Sequence, residues 1–187
     1  MFRRLLDEAT RAGDPEPTAM SLATADAHGR VSVRIVLLKE VDERGFVFYT
    51  NRESAKGRQL AAHPQAALCL HWKTLGDGVQ VRVEGAVEQV GDSESDAYFA
   101  SRPRDRQVGA WASLQSQALA SRAELDARVA GFERKFAAGP VPRPPHWGGY
   151  RVVPDVIELW YGHRHRLHDR VRYERRDGTW SKRLLYP

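Results

Sequence analysis

Two arginines and a histidine fall close together near the C-terminus in the run Arg166, Leu167, His168, Asp169, Arg170, and Trp160, Tyr161 and Gly162 precede them. Guanidinium forks match phosphate oxygens two at a time and stack on flat rings, so this run can present cations and an imidazole to a planar anion. An exposed basic turn joining two strands has the same spacing. His163, His165 and His168 also cluster, but Arg164, Arg166 and Arg170 interleave them and would repel a cation, so no metal site is expected. The only cysteine, Cys69, lies in the apolar stretch AALCL; it excludes an intrachain disulfide and reads as a buried structural thiol. The chain has neither a Gly-rich dinucleotide loop nor a GxxxxGK[ST] loop, so any phosphate must be held by side chains.

The elements that must position such groups are mostly strands. Phe2, Leu5, Leu6 and Ala9 share one face of an N-terminal helix ending near Gly13. Strand-like runs at Ala19 to Ala25 and Val31 to Lys39 flank the turn residues Asp26 to Gly29 and read as a hairpin. A turn at Asp42 to Gly45 leads to a strand at Phe46 to Thr50, and Ser54 caps a short helix that stops before Pro64. Ala66 to Trp72 resumes the sheet. Val79, Val81, Val83 and Val87 then alternate with polar residues, which turns Gln80 away from the valine face. Helices are expected at Ser93 to Ala100 and Ser121 to Phe136. The second carries a capping-box pair, Ser121 and Glu124, and a core stripe of Leu125, Val129, Phe132 and Phe136. A Pro-rich connection, Gly139 to Gly149, is anchored by Trp147. Strands follow at Tyr150 to Val153, Val156 to Tyr161, Arg170 to Arg175 and Trp180 to Leu185, the last two joined by an Asp177-Gly178 turn. Many short strands with few helices predict a mainly β, α+β fold built on a closed or partly closed barrel.

With 187 residues the chain suits a single domain, 1–187, and the resemblance described below implies that helix 1–13 and the C-terminal segment 150–187 complete its site. A net charge of +5 arises from 29 basic residues interspersed with 24 acidic ones, a pattern that suits small anions and not nucleic acid. No apolar run is long enough to span a bilayer and the N-terminus lacks a signal-peptide pattern, so no membrane partner and a cytoplasmic location are expected.

Several blocks in one order resemble the pyridoxine/pyridoxamine 5'-phosphate oxidase family, flavin enzymes of pyridoxal phosphate synthesis. They are RIVLLK (Arg34 to Lys39), FYTN (Phe48 to Asn51), YFASRPRD (Tyr98 to Asp105), Gly109 to Trp111 with Gln115 and Ser116, PPHWGG (Pro144 to Gly149), and Trp160, Gly162 and Arg166 to Arg170. The resemblance implies an FMN-binding split β-barrel and a homodimer with FMN sites between subunits. It assigns FMN to Arg34, Ile35, Val36, Leu37, Leu38, Lys39, Tyr49, Thr50, Lys56, Gln80, Gln115, Ser116, Trp160 and Arg170. Within that group, Arg34 and Lys56 are the expected partners of the FMN phosphate. It assigns the substrate phosphate to Lys39, Tyr98 and Arg102, and the substrate ring to Arg166 and His168. The implied reaction oxidises pyridoxamine or pyridoxine 5'-phosphate with molecular oxygen, giving pyridoxal 5'-phosphate and hydrogen peroxide, and ammonia from the amine.

Three positions depart from the family pattern. Ala55 stands where an arginine precedes Lys56, Arg106 replaces a serine at the substrate phosphate, and Tyr161 replaces a glutamine. Two other readings stand beside this one: a split-barrel flavin oxidase acting on another planar anion such as a phenazine precursor, and a noncatalytic FMN or pyridoxal phosphate carrier.

Overall fold

A computed structural model describes residues 1–187. Helix α1 (Phe2–Arg11) precedes strands β1 (Ala19–Ala25), β2 (Val31–Leu37), β3 (Glu40–Val41) and β4 (Phe46–Asn51). Helix α2 (Ala55–Ala62) leads to β5 (Gln65–Trp72) and β6 (Val79–Gln89), after which come α3 (Asp92–Ser101), α4 (Arg104–Ala112) and α5 (Arg122–Lys135). The chain closes with β7 (Trp147–Tyr161), a 3-10 turn at Arg164–Arg166, β8 (Asp169–Arg176) and β9 (Thr179–Leu185). All pairings are antiparallel, in the order β2-β1-β5-β6-β7-β4-β3, with β8 on β7 and β9 on β8. The sheet curls into a half-barrel with flanking helices, as the strand pattern predicts.

The period-2 valines of β6 account for its core face, since Val79, Val81 and Val83 are buried and Gln80 is not. They pack with Met20, Leu22, Leu68, Leu70, Phe48 and Trp72 in the main core, and Leu5 and Ala9 of α1 close one end. A smaller core under α3 to α5 joins Phe99, Val108, Phe136, Val141 and Trp147. The α5 stripe meets it with Val129 and Phe132 half-buried and Phe136 buried. At its start the Ser121 hydroxyl accepts the Glu124 N–H at 3.2 Å, while the Glu124 carboxylate takes the N–H of Ala120 at 3.3 Å.

Besides the two-residue strand β3 and the 3-10 turn, neither of which the sequence predicts, two longer elements differ from expectation. The segments read as strands at Tyr150 to Val153 and Val156 to Tyr161 form one strand, β7. Pro154 does not break it, because its outer partner changes from β4, which pairs up to Val152, to β8, which begins at Val156. Opposite that handover the β6 register shifts between Glu84 and Gly85, a bulge that tolerates a residue without an N–H. Helix α4 is the second difference. Its apolar face is confined to Val108, Trp111 and Ala112, a single turn at helical spacing and too short to stand out in the sequence, and the Gln107 amide fixes the turn by donating to the carbonyls of Phe99 and Ala100.

Helix α2 sits so close to the end of β4 that a side chain at Gly57 would run into the Arg52 carbonyl. The Ser54 hydroxyl caps the helix by accepting the Gly57 N–H at 3.3 Å and donates to Asn51 O at 2.7 Å. Gly57→Ala is therefore expected to push α2 outward and lower stability by about 1–3 kcal/mol, read as a reduced urea midpoint at unchanged m.

Candidate functional site

Strand β2, the end of β4, and helices α2, α3 and α4 enclose a cleft of about 600 Å³. Its walls carry five cationic side chains, Arg34, Lys39, Lys56, Arg102 and Arg106, and no carboxylate. Like charges gathered without counter-charges raise one another's free energy, so such a cleft favours an anion. Two groups are distinguishable.

At one end the Lys56 ammonium donates to Gln115 Oε1 at 3.0 Å and Thr50 Oγ1 at 3.2 Å. Burial, with a smaller contribution from the Arg34 charge, pushes its pKa down to about 8. Arg34 is steered from behind: its Nη1 donates to Thr24 Oγ1 at 2.6 Å and Leu22 O at 3.1 Å, and its Nη2 to Gln59 Oε1 at 3.1 Å. Gln59 lies three positions after Lys56, on the same face of α2, and that helical spacing was the only signal in the sequence that could have found it.

At the other end Lys39, Arg102 and Arg106 converge. Burial lowers the Lys39 pKa, Glu16 opposes this, and the charges of Arg106 and Arg102 lower it further. Arg102 is lowered chiefly by burial. Tyr98, whose phenol burial pushes up, stacks on Tyr49 at 4.1 Å. Asn51, Ser101, Ser113 and Trp147 also line the cleft, and sequence reading did not assign them to it.

Of the residues singled out in the sequence, Arg34, Ile35, Val36, Leu37, Lys39, Tyr49, Thr50, Lys56, Tyr98, Arg102, Arg106 and Gln115 all meet here. Leu38 turns its side chain into the main core. Ser116, with a left-handed backbone (φ 72°), lines an adjoining hollow that shares Gln115.

Gln80, Trp160, Arg166, His168 and Arg170 are absent from the cleft walls and gather instead around β6, β7 and β8. Trp160 pairs with Gln80 on one side and Arg170 on the other. Arg170 is fixed by Nε and Nη2 contacts of 2.9 Å to Oε1 of the buried Glu158. The His168 ring lies 4.5 Å from that of Trp160, and its Nδ1 accepts the His163 backbone N–H at 3.1 Å. A neutral His168 therefore carries its proton on Nε2, which remains free to donate. His163 is occupied by Asp169 at 2.8 Å. Arg166, left-handed at φ 60°, is exposed and makes no side-chain hydrogen bond or ion pair.

The pyridoxamine 5'-phosphate oxidase family model matches residues 6–135, and the model described as pyridoxine 5'-phosphate oxidase C-terminal dimerisation region matches residues 147–187. A pyridoxine/pyridoxamine 5'-phosphate oxidase of Myxococcus xanthus (strain DK1622) is 60% identical over 186 residues, covering 100% of this chain and 89% of the relative. A protein of the same name from Xanthomonas euvesicatoria pv. vesicatoria (strain 85-10) is 57% identical over 188 residues, with 100% and 94% covered. Among solved structures, PhzG from Burkholderia lata 383, in complex with tetrahydrophenazine-1-carboxylic acid, superposes with a TM-score of 0.93 at 35% identity, covering 100% of this chain and 90% of that one. A pyridoxamine 5'-phosphate oxidase-related, FMN-binding protein from Nostoc punctiforme PCC 73102 shares the fold, with a TM-score of 0.77 at 17% identity and coverage of 100% and 97%.

Proposed function

Because the chain belongs to the pyridoxamine 5'-phosphate oxidase family, we propose that it binds FMN and oxidises pyridoxamine or pyridoxine 5'-phosphate to pyridoxal 5'-phosphate. The observation that carries this reading is the cleft with five cations in two groups and no carboxylate, which suits two phosphates held apart. Arg34 and Lys56, with Thr50 and Gln115, take the FMN phosphate; Lys39, Arg102 and Arg106, with the Tyr98 hydroxyl, take that of the substrate. The side chains thus fit the cofactor, although Ala55 offers no charge beside Lys56. Bound FMN supplies hydride acceptance from the substrate's exocyclic carbon and reoxidation by molecular oxygen to hydrogen peroxide. Holding the substrate phosphate fixes the approach of its ring and makes the reaction effectively intramolecular.

Gln80, Trp160, Arg166, His168 and Arg170 reach such a cleft only from a second copy, so the functional unit is a homodimer with sites between subunits. Two observations support this. Residues 147–187 match a dimerisation region, and β2 exposes a row of apolar side chains, Val31, Val33 and Ile35, at 63–72% of their full accessibility. Arg166 and the Nε2–H of His168 from the second copy cover the substrate ring, position it, and stabilise charge on its polar groups.

A flavin oxidase for a planar carboxylate is the second reading, favoured by the likeness to PhzG. Three converging cations suit a phosphate dianion better than a single carboxylate. Anaerobic mixing of the FMN-loaded protein with pyridoxamine 5'-phosphate tests both. Rapid bleaching of the flavin absorbance is the expected result, whereas an oxidised spectrum despite demonstrated substrate binding would point to a carrier or to the other substrate class.

The depressed Lys56 pKa gives a pH prediction. Below about pH 8 the ammonium is charged and attracts the FMN phosphate; above it the charge is lost and FMN affinity falls. For the folding of the cofactor-free protein the sign is reversed. Between about 8 and the ordinary 10.5 the unfolded chain holds the extra proton, so this group's burial cost is relieved as pH rises through that window. FMN titration by fluorescence quenching at pH 7 and 9 should show weaker binding at pH 9, and Lys56→Arg should flatten the difference. A difference that persists in the arginine variant would place the titrating group elsewhere.

A further inference from the structure

The guanidinium of Arg102 is held in an unusual way for a cation in a cleft. No carboxylate pairs with it, and its Nη1 is shielded from solvent without a hydrogen-bond partner. Its guanidinium carbon instead lies 4.7 Å from the centroid of the Trp147 ring and 5.5 Å from that of Phe99. Trp147 is itself tightly constrained. Its ring runs parallel to Tyr49 (5.4 Å, 9°) and Tyr98 (6.2 Å, 9°), and Phe99 meets it edge-on at 5.0 Å. Its carbonyl accepts Nη1 of Arg143 at 2.7 Å, and Arg143 in turn grips Asp92 and Asp96 of α3 at 2.9 and 2.5 Å. The start of β7 is thereby tied to the helix that carries Tyr98 and ends at Arg102.

An aromatic face and a carboxylate orient a guanidinium with different consequences. A carboxylate consumes the N–H donors and cancels the charge, while a ring attracts the cation through its face and leaves the in-plane donors unspent. An anion arriving in the cleft then meets a guanidinium that is already oriented and whose Nε and Nη2, unlike the shielded Nη1, are accessible and make no other hydrogen bond. We propose that Trp147 is the positioning residue of the substrate phosphate subsite: it fixes Arg102 by its ring face and, through the Tyr49–Tyr98 stack, aims the Tyr98 hydroxyl at the same phosphate. The inference rests on the functional reading above for the identity of the anion.

The test measures pyridoxal 5'-phosphate binding to the FMN-loaded protein by titration, and KM and kcat for pyridoxamine 5'-phosphate, in W147L and W147F. Losing the cation–ring contact should weaken phosphate-ester binding about tenfold in W147L. KM should rise in parallel, with kcat and FMN affinity nearly unchanged. W147F keeps an aromatic face and should recover most of the loss. A second arm separates positioning from packing: in an R102Q background the leucine substitution should cost clearly less than in the unmodified protein, because of the two groups it positions only Tyr98 remains. Unchanged binding in W147L, equal loss of FMN and ester affinity, or full additivity with R102Q would each overturn the proposal. Should W147L not fold, W147F against R102Q and the double variant carry the same comparison. The binding arm needs no turnover, so a wild-type protein that binds the ester without oxidising it would sink the functional reading while leaving the role of Trp147 open to this measurement.

Discussion

Arg102→Ala is expected to raise KM for pyridoxamine 5'-phosphate about a hundredfold while FMN binding stays within a factor of about two, since hydrogen bonds to charged groups contribute about 1.5–3 kcal/mol each. Arg102 can offer a bidentate Nε/Nη2 fork, since no carboxylate pairs with it and only its Nη1 is shielded. Truncation removes both the charge and the donors. The neighbours oppose the loss only partly. Arg102 lowers the Lys39 pKa, so its removal lets Lys39 hold its proton more firmly, but an ammonium is a point charge and does not replace a planar fork. Lys39→Ala should cost less, about tenfold, and Arg106→Ser less again, about threefold, because Arg106 is exposed and water screens it. This ranking is the informative result. Equal effects at all three positions would mean a diffuse electrostatic funnel in place of a built phosphate site, and a tighter KM in Arg106→Ser would mean that this arginine obstructs the ester.

The parts of this arrangement that depend on local chemistry were readable in the chain. Alternating valines announce β6 and the Ser54 cap announces α2, while it is the family resemblance, and not local chemistry, through which RIVLLK, Lys56, Tyr98 and Arg102 mark most of the cleft. What escaped reading depends on tertiary handovers. β7 reads as two strands, Tyr150 to Val153 and Val156 to Tyr161, because the exchange of β4 for β8 along one of its edges leaves no trace in the residues themselves. Helix α4 has too small a buried face to show a stripe, and it is packing between α3 and α5 that settles it. Gln59 stands behind Arg34 and Trp147 is a cleft-wall ring against Arg102, and residues of these types are ordinary helix-surface and core residues by sequence alone. The separation of Arg166 and His168 from the cleft is a different matter. A linear motif carries no mark of which copy's cleft it serves.

That ambiguity has a decisive experiment, because a shared site makes inactivating changes on opposite sides of the interface complement each other. On the proposed reading, Arg102→Ala removes the phosphate fork of one chain's cleft and His168→Ala removes the Nε2 donor that a second chain brings to it, which should slow flavin reduction by on the order of a hundredfold. Each homodimer then carries the same defect in both of its sites. Mixed by co-expression, random pairing puts half of the dimers in the mixed form. Each mixed dimer has one site bearing both substitutions and one bearing neither, so roughly a quarter of all sites are intact. Activity should accordingly rise from about one per cent to roughly a quarter of wild type, with the KM of the recovered fraction equal to that of the unmodified protein. If Arg102 and His168 instead served the same chain's site, no combination of these chains could assemble an intact one, and activity would stay at the mean of the two parents. The geometry favours the first outcome. Arg102 lines the cleft against α3 and α4, whereas His168 packs on Trp160 of β7 and takes its Nδ1 contact from His163, so within one chain neither its backbone nor its ring is directed by any cleft residue.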